Sequence, residues 1–342
     1  MSSERRPRAL ASSLRGGRGE DFWAPTRAEL AAAGCELVLE PYRTLEDLLP
    51  IANDVDAIYQ GPVPMSRELL SQLPNLKAIC ALGIGFDDFD VKVATDLGIV
   101  VINLPRVFHR EVAQHTLALL LAQVRQVVPL NAAMHARANN PQANLRAVAP
   151  TQHMYGQTLG LVAFGNIARE VAKMAKAFEL RVITYDPYVK PETLAEYGVE
   201  GVSLEQLLSE SDFISMHTPL SEGTYHLMGE AQFKQMKPTA LFVNTSRGKT
   251  VDEVALVKAL REGWIAGAAL DVTEIEPPEV SNPLLTMDNV VLTPHIASAS
   301  DKARHERARW MGIEVGRVLT GQWPLNGLVN KNVRPRFPLN PS

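Results

Sequence analysis

Three residue types able to share a proton-transfer site recur at matching places in the second half of the chain. Arg247 lies in Asn244-Thr245-Ser246-Arg247-Gly248, Glu276 in Asp271-Val272-Thr273-Glu274-Ile275-Glu276-Pro277, and His295 in Thr293-Pro294-His295. Each follows an apolar run of strand length: Ala240–Val243, Ala266–Leu270 and Val290–Leu292. In an open parallel sheet, residues just past the strand C-termini line one edge, and ligands bind along that edge. A fixed cation, a carboxylate and an imidazole gathered there form an acid–base site.

Positioning them requires a sheet, and the chain supplies two series for one. From Thr158 to His295 the expected strands are Thr158–Ala163, Arg181–Tyr185, Phe213–Met216 and the three runs above. From Arg8 to Ile102 they are Arg8–Ser12, Glu36–Leu39, Ala57–Tyr59, Leu76–Cys80 and Ile99–Ile102, alternating with helical stretches at Arg27–Ala33, Leu45–Ile51, Arg67–Leu73 and Val91–Asp96. Such alternation implies βαβ units and parallel sheets. Between the series, Pro105 to about Val128 reads as one long helix ending before Pro129, and Asn131–Tyr155, with Asn139-Asn140-Pro141, as short helix and loop. Asp301–Leu319 has a helical pattern, and the basic, Pro-containing tail beyond it reads as a solvated edge.

The second series opens on a nucleotide signature. Ala163-Phe164-Gly165-Asn166-Ile167-Ala168 joins a strand to a helix whose Val171, Ala175 and Phe178 share a face. The dinucleotide fingerprint is Gly-x-Gly-x-x-Gly/Ala. Gly165 keeps the middle place, where backbone must approach a pyrophosphate, and Ala168 is accepted at the third, where helix and strand pack closely. Ala163 at the first place departs from the pattern by adding a Cβ to a tight turn. Behind Gly165, the N–H groups of Asn166 and Ile167 open the helix, and the helix dipole favours phosphate there. Asp186 lies 21 residues after Gly165, at a strand end, placed to accept from both adenosine ribose hydroxyls. The same carboxylate would repel a 2′-phosphate, so NAD is expected over NADP. Together with the Arg–Glu–His edge, this half points to a pyridine-nucleotide dehydrogenase.

Bulk properties are consistent with that. The 342 residues carry 46% hydrophobic and 21% charged side chains, ordinary for globular domains, with length for about two of them. A net charge of −4 gives no reason to expect nucleic acid or an acidic membrane surface as partner. Thr116–Val124 is strongly apolar but far short of the ~20 residues that span a bilayer, and reads as a buried helix. Arg5, Arg6, Arg8, Arg15 and Arg18 accompany no long apolar core, so no targeting segment is expected. Cys35 and Cys80 cannot make a disulfide framework and read as buried thiols in a reducing cytoplasm. His109, His115 and His153 have no metal-ligand spacing, and no metal is expected.

At this point the chain resembles the D-isomer-specific 2-hydroxyacid dehydrogenase family. The resemblance covers about residues 55 to 330 and rests on Gly83-Ile84-Gly85-Phe86-Asp87, Glu111-Val112-Ala113, the Ala163–Ala168 turn, Asp186, His217-Thr218-Pro219-Leu220, Val243–Gly248, Leu270-Asp271-Val272 and Leu292–His295. Within the family it looks closest to the C-terminal-binding-protein-like branch, from Ala175-Lys176-Ala177-Phe178, Tyr185-Asp186-Pro187-Tyr188 and Val329-Asn330-Lys331. The first 50 residues match poorly.

The resemblance implies two doubly wound α/β domains. A flavodoxin-like substrate domain would comprise residues 1–104 and 298–342, with a Rossmann NAD-binding domain, 105–297, inserted between them. It places the catalytic roles on Arg247, Glu276 and His295. In reduction of a 2-keto acid, His295 would protonate the carbonyl oxygen, worth ~10²–10⁴-fold. Glu276 would hold the ring and stabilise its charged form, with Glu274 as the alternative carboxylate. Arg247 would grip the substrate carboxylate and carbonyl through its planar fork. Gly83, Ile84 and Gly85 would offer backbone N–H groups to the substrate carboxylate.

Around the cofactor, Asp271 is expected at the nicotinamide carboxamide, with Thr245, Ser246, Arg247, His295 and Ala297 on the same side. His217, Thr218, Pro219 and Thr224 are expected at the adenosine half, and Thr116 near the pyrophosphate. The side-chain pocket is expected from Ser12, Ser13, Leu14, Phe86, Arg106 and Trp310. A homodimer built on the nucleotide domains is implied, and the apolar Leu117–Val124 helix would leave a large patch on a monomer.

Two rivals remain at the level of sequence. The co-repressors of the branch keep the same trio and sense NAD(H) without turnover. Formate dehydrogenases of the wider family lack the Glu partner, so Glu276 favours a hydroxy acid, whereas phosphite oxidation is compatible with the same motifs.

Overall fold

The computed structural model describes residues 5–14, 20–138 and 151–340. Arg15, Arg18 and Asn139-Asn140-Pro141 lie outside the described residues. The chain divides into two compact units, one holding Met1–Phe108 and Ala299–Ser342, the other His109–Ser298.

In the first unit the described residues form a five-stranded parallel sheet in the order β2-β1-β3-β4-β5. Its strands are β1 (Arg8–Ser12), β2 (Glu36–Glu40), β3 (Ala57–Tyr59), β4 (Ala78–Cys80) and β5 (Val100–Ile102). This is the flavodoxin-like order. Ala57–Tyr59, Ala78–Cys80 and Val100–Ile102 are buried throughout, which is why they read as unbroken apolar runs rather than alternating ones. Crossover helices α1 (Glu20–Ala32), α2 (Leu45–Ala52), α3 (Arg67–Leu70) and α4 (Val91–Asp96) return the chain between strands.

Helix α1 starts seven residues before the expected Arg27. Pro25 lies inside it, but Phe22 and Trp23 ahead of the proline are buried at 3% and 1% exposure, and that burial holds the first turns in place. The C-terminal helix Asp301–Leu319 packs on α1 so closely that a Cβ at Gly312 would stand 2.8 Å from the Thr26 carbonyl oxygen. The tail beyond it is not a solvated edge. Asn330 is buried, accepts from the Val101 N–H at 2.9 Å and donates to the Ile99 carbonyl at 2.9 Å, while Arg336 Nε donates to the Leu76 carbonyl at 2.9 Å.

The second unit begins with α5 (His109–Val124) and α6 (Val127–Ala136). One continuous helix was expected here. The chain instead breaks at Gln126, held at φ +55°, and the two helices meet at 60°. Pro129 falls in the first turn of α6, where its missing N–H costs no helical bond, so it does not end the helix. Leu117, Leu119, Leu120 and Val124 of α5 belong to the unit's own core rather than to an exposed patch. The exposed apolar residues are on α6, with Val127 at 53%, Val128 at 49% and Met134 at 58%. No single helix among the described residues is long and apolar enough to cross a membrane.

Among the described residues the rest of this unit forms a seven-stranded parallel sheet, order β12-β11-β10-β9-β6-β7-β8. The strands are β6 (Thr158–Val162), β7 (Arg181–Tyr185), β8 (Glu200–Gly201), β9 (Phe213–Met216), β10 (Leu241–Asn244), β11 (Gly267–Leu270) and β12 (Val290–Leu292). Helices α7 (Asn166–Lys176), α8 (Pro191–Tyr197), α9 (Leu204–Glu210), α10 (Glu230–Phe233) and α11 (Glu253–Glu262) join them, and Asp301–Leu319 becomes α12. Strand β6 pairs with both β7 and β9, so the order reverses between β6 and β9, the switch point of a Rossmann sheet. β8 was not expected, since two exposed residues carry no apolar pattern.

Candidate active site

Strands β10, β11 and β12 are neighbours, and their C-terminal ends lead into the segments carrying Arg247, Glu276 and His295. His295 Nδ1 stands 2.6 Å from Glu276 Oε2. A carboxylate at that distance accepts the hydrogen bond of Nδ1–H, which leaves Nε2 as the nitrogen that can exchange a proton. The hydrogen bond to Glu276 raises the imidazole pKa, aided by the Glu276 and Asp271 charges and opposed by burial and Arg247. Glu274 pairs elsewhere, with His226 at 2.9 Å.

His295 adopts φ +50° in a turn built on Asp271. Asp271 is 1% exposed. Its Oδ1 accepts the Thr293 hydroxyl at 2.6 Å and the Ile296 N–H at 2.9 Å, and its Oδ2 accepts the Ala297 N–H at 2.9 Å. Asp271, expected at the carboxamide, thus also clamps the imidazole's turn. The donors sit two residues before His295 and one and two after it. Thr293, which the sequence reading passed over, also lies 3.0 Å from His115 Nε2.

The turn after β10 is organised by Asn244, buried at 1% exposure. Its Oδ1 accepts the Ser246 N–H and hydroxyl at 2.9 and 2.8 Å, and its Nδ2 donates to the Arg247 carbonyl at 3.0 Å. Asn244 was not singled out from sequence, although an amide opening a four-residue turn is the signal that could have found it. Gly248 follows Arg247 because the loop bearing Glu276 crosses there: a Cβ would fall 1.8 Å from the Thr273 carbonyl oxygen.

At the nucleotide end, Ala163 adopts φ +77°, a conformation natural to the glycine of the fingerprint. Gly165 is the N-cap of α7 and brings no capping side chain, and a Cβ built on it meets nothing within 4 Å. Asp186 at the end of β7 accepts from the Phe164 N–H and the Tyr188 N–H, both at 2.8 Å, tying the fingerprint turn to the next strand end. His217 follows β9; burial takes its pKa down to about 3, and Ser215 Oγ lies 3.0 Å from its Nε2. Thr218 is buried and its hydroxyl has no partner among the described residues. The Thr224 hydroxyl donates to the Pro219 carbonyl at 2.6 Å and accepts the Ser221 N–H at 2.8 Å, closing that loop on itself. The Thr116 hydroxyl donates to the Val112 carbonyl and lies 2.8 Å from the Thr245 hydroxyl. Among the described residues no group of three or more His, Cys, Asp or Glu could hold a metal.

In the other unit, Gly83, Ile84 and Gly85 follow β4. The Gly83 and Ile84 carbonyls accept from the Leu104 N–H at 2.9 Å and from Asn103 Nδ2 at 2.8 Å. Among the described residues, their three N–H groups have no acceptor. Of the residues expected in a side-chain pocket there, Ser12 is buried, with its hydroxyl 3.4 Å from the Tyr42 carbonyl, while Leu14 is 44% exposed.

A family description, D-isomer specific 2-hydroxyacid dehydrogenase, NAD binding domain, matches residues 117–297, more than half of the chain. The chain belongs to the D-isomer-specific 2-hydroxyacid dehydrogenase family. The dehydrogenase is 44% identical over 299 residues to glyoxylate reductase of Korarchaeum cryptofilum, covering 87% of this chain and 86% of that one. It is similar to the crystal structure of a glyoxylate reductase from Paecilomyes thermophila, at TM-score 0.83 and 28% identity over 94% and 98% of the two chains. It is likewise similar to D-lactate dehydrogenase from Aquifex aeolicus complexed with NAD and lactic acid, at TM-score 0.77 and 30% identity over 90% and 93%. This dehydrogenase interconverts 2-hydroxy and 2-keto acids with NAD as cofactor. Its own residues fit a dinucleotide: Gly165 leaves room over the α7 N-terminus, and the buried Thr218 hydroxyl awaits a polar partner.

Proposed function

We propose that the dehydrogenase reduces small 2-keto acids of the glyoxylate kind to the corresponding D-2-hydroxy acids, with His295 as acid, Glu276 as its counter-charge and Arg247 as the carbonyl's polarising cation. The observation that carries this reading is the 2.6 Å contact between His295 Nδ1 and Glu276 Oε2 at the ends of adjacent strands. When bound, NADH supplies the hydride. His295 Nε2 gives the proton to the carbonyl oxygen, and Glu276 stabilises the imidazolium before that transfer. Arg247 orients the keto group and draws charge onto its oxygen. The N–H groups of Gly83, Ile84 and Gly85 take the substrate carboxylate, which makes Met1–Phe108 with Ala299–Ser342 the substrate domain.

In this reading the pyrophosphate lies over Gly165, Asn166 and Ile167, and Asp186 holds the ribose. His217, Thr218, Pro219 and Thr224 border the adenosine half. Thr245, Ser246, Arg247, His295 and Ala297 line the nicotinamide side, where Asp271 takes the carboxamide, and Thr116 lies near the pyrophosphate. Ala175–Phe178, Tyr185–Tyr188 and Val329–Lys331 liken the dehydrogenase to the C-terminal-binding-protein-like branch. The co-repressor reading attached to that branch is not favoured, since relatives named as reductases match across most of the chain.

The deciding experiment is NADH oxidation with glyoxylate, pyruvate, hydroxypyruvate, phenylpyruvate and branched 2-keto acids, and NAD reduction with formate and phosphite as controls. Turnover of at least one 2-keto acid, abolished by His295→Ala with NADH binding retained, is the expected result. A protein that binds NADH and turns over none of the keto acids would instead be a sensor. We also propose a cytoplasmic homodimer with small-molecule substrates and neither nucleic acid nor membrane as partner. Exposed Val127, Val128 and Met134 of α6 support the dimer, and Cys35 and Cys80, free and buried, suit a reducing compartment. A monomeric mass by light scattering at micromolar concentration would count against the dimer.

A further inference from the structure

We infer that Glu274 is a positioning residue for Glu276, acting through a second His–carboxylate pair on the same loop; this deepens the proposed role of the His295–Glu276 pair and rests on it. The segment from Thr273 to Glu276 carries two carboxylates two residues apart, and each meets a different imidazole. Glu276 meets His295 at 2.6 Å, and Glu274 Oε1 meets His226 Nε2 at 2.9 Å. Ile275 between them is 59% exposed, so the loop has no apolar anchor at that point.

Polar contacts at Glu274 supply the anchor. Glu274 and Glu253, the first residue of α11, exchange backbone donors: Glu253 Oε2 accepts the Glu274 N–H at 2.9 Å, and Glu274 Oε2 accepts the Glu253 N–H at 3.3 Å. Asn282 Nδ2 donates to the remaining Glu253 oxygen at 2.7 Å, and the Thr273 hydroxyl donates to the Ile275 carbonyl at 2.8 Å. His226 is itself fixed. It sits at φ +50°, its N–H donates to the Lys249 carbonyl at 2.9 Å, and its ring stacks on Tyr225 with centroids 4.0 Å apart. The loop is thus pinned one residue before Ile275 by a helix N-terminus and a fixed ring. Glu276 reaches His295 from that fixed point.

A purely structural role for Glu274 would lower stability alone. A positioning role makes its loss visible in catalysis only while Glu276 is present. The groups whose charges bear on His295 are Glu276 and Asp271, which raise its pKa, and Arg247, which lowers it. Glu274→Ala should therefore lower kcat for keto-acid reduction about tenfold, the worth of one charge-assisted hydrogen bond. It should move the upper pH limit of kcat downward and leave the Kd for NADH unchanged.

The test is a double-mutant cycle of Glu274→Ala and Glu276→Gln, read as kcat, KM and the pH profile, with melting temperatures recorded for each variant. In the Glu276→Gln background, Glu274→Ala should change kcat and the pH limit less than twofold beyond the single variant, the coupling expected of residues acting as one unit. Should Glu274→Ala fold poorly, Glu274→Gln keeps the side chain's length and one acceptor, and should shift the same quantities in the same direction by a smaller factor. The inference is overturned if Glu274→Ala retains the parent pH profile and kcat, or if its effect persists undiminished beside Glu276→Gln. If Glu276→Gln alone changes nothing, the acid–base reading of the trio fails instead.

Discussion

Asp271 Oδ1 accepts the Thr293 hydroxyl at 2.6 Å, and through this contact the end of β11 grips the end of β12 two residues before His295. The N–H groups of Ile296 and Ala297 close the same carboxylate from the other side. A single buried charge therefore defines a turn in which His295 is held at φ +50°. Such a conformation is costly for a residue with a Cβ and persists only where surrounding contacts over-determine it.

Asp271→Asn is the corresponding prediction. An amide presents one acceptor oxygen and one NH2 where three donors converge, leaving a buried N–H or hydroxyl unpaired at a cost of about 1–3 kcal/mol. The melting temperature should fall, and kcat should fall more than the affinity for NADH changes, because His295 loses its placement. Parent-like kcat in a folded Asp271→Asn protein, measured by steady-state NADH oxidation, would show that the clamp is dispensable.

The pH dependence follows from the raised His295 pKa. Reduction needs the imidazole protonated, so activity should extend above the ordinary imidazole range near 6.5 and decline as pH rises through the raised value. The same sign holds for stability: the pair's contribution is complete below the unfolded pKa and is lost as pH rises through the folded one. Glu276→Gln removes the first cause of the shift and should bring the upper limit of the kcat profile down toward 6.5. A pH profile unchanged in that variant would contradict the pairing. His217, with its pKa at about 3, stays neutral throughout this range and should add no inflection.

Much of the scaffold was legible because parallel strands covered on both faces write themselves as short apolar runs. Ala57–Tyr59, Arg181–Tyr185 and Phe213–Met216 have the bounds expected from those runs. The break at Gln126 was not legible. Nothing about glutamine demands a left-handed conformation, and Val127-Val128-Pro129 looks like a continuing apolar face. Spacing alone could not separate Glu274 from Glu276 either, since both lie within reach of a strand end. The distinction comes from where each carboxylate finds an imidazole. Asp271 and Thr116 were expected to face the cofactor, but a polar residue beside a strand end can serve the backbone as well as a ligand. Burial and partners add that both also hydrogen-bond within the protein.

Asp186 holds its own turn and, in the proposed reading, the ribose, and the two roles separate under substitution. Its carboxylate oxygens take the Phe164 and Tyr188 N–H groups, so Asp186→Ala should loosen the fingerprint turn and lower the melting temperature. Removing the charge should also narrow the preference for NADH over NADPH, because nothing then repels a 2′-phosphate. The readout is the ratio of Kd values for the two cofactors. Parent protein that binds NADPH as tightly as NADH would show that Asp186 is not at the ribose.

Ala163 offers a test in the opposite direction, toward greater stability. At φ +77° its Cβ crowds the neighbouring backbone, a penalty of about 1–2 kcal/mol for an L-residue in the left-handed region. Glycine removes the penalty but gives the unfolded chain more freedom, at a cost of roughly 0.5–1 kcal/mol. The balance favours Ala163→Gly by roughly 0.5–1 kcal/mol, which should raise the melting temperature by a few degrees at most for a unit of this size. The hydrogen bond from the adjacent Phe164 N–H to Asp186 ties this turn to β7, so the substitution should keep the turn's shape and leave the Kd for NADH unchanged or tighter. Thermal denaturation and NADH fluorescence titration of the two proteins decide the matter. A lower melting temperature in Ala163→Gly would mean that the alanine methyl packs favourably enough to outweigh its backbone strain.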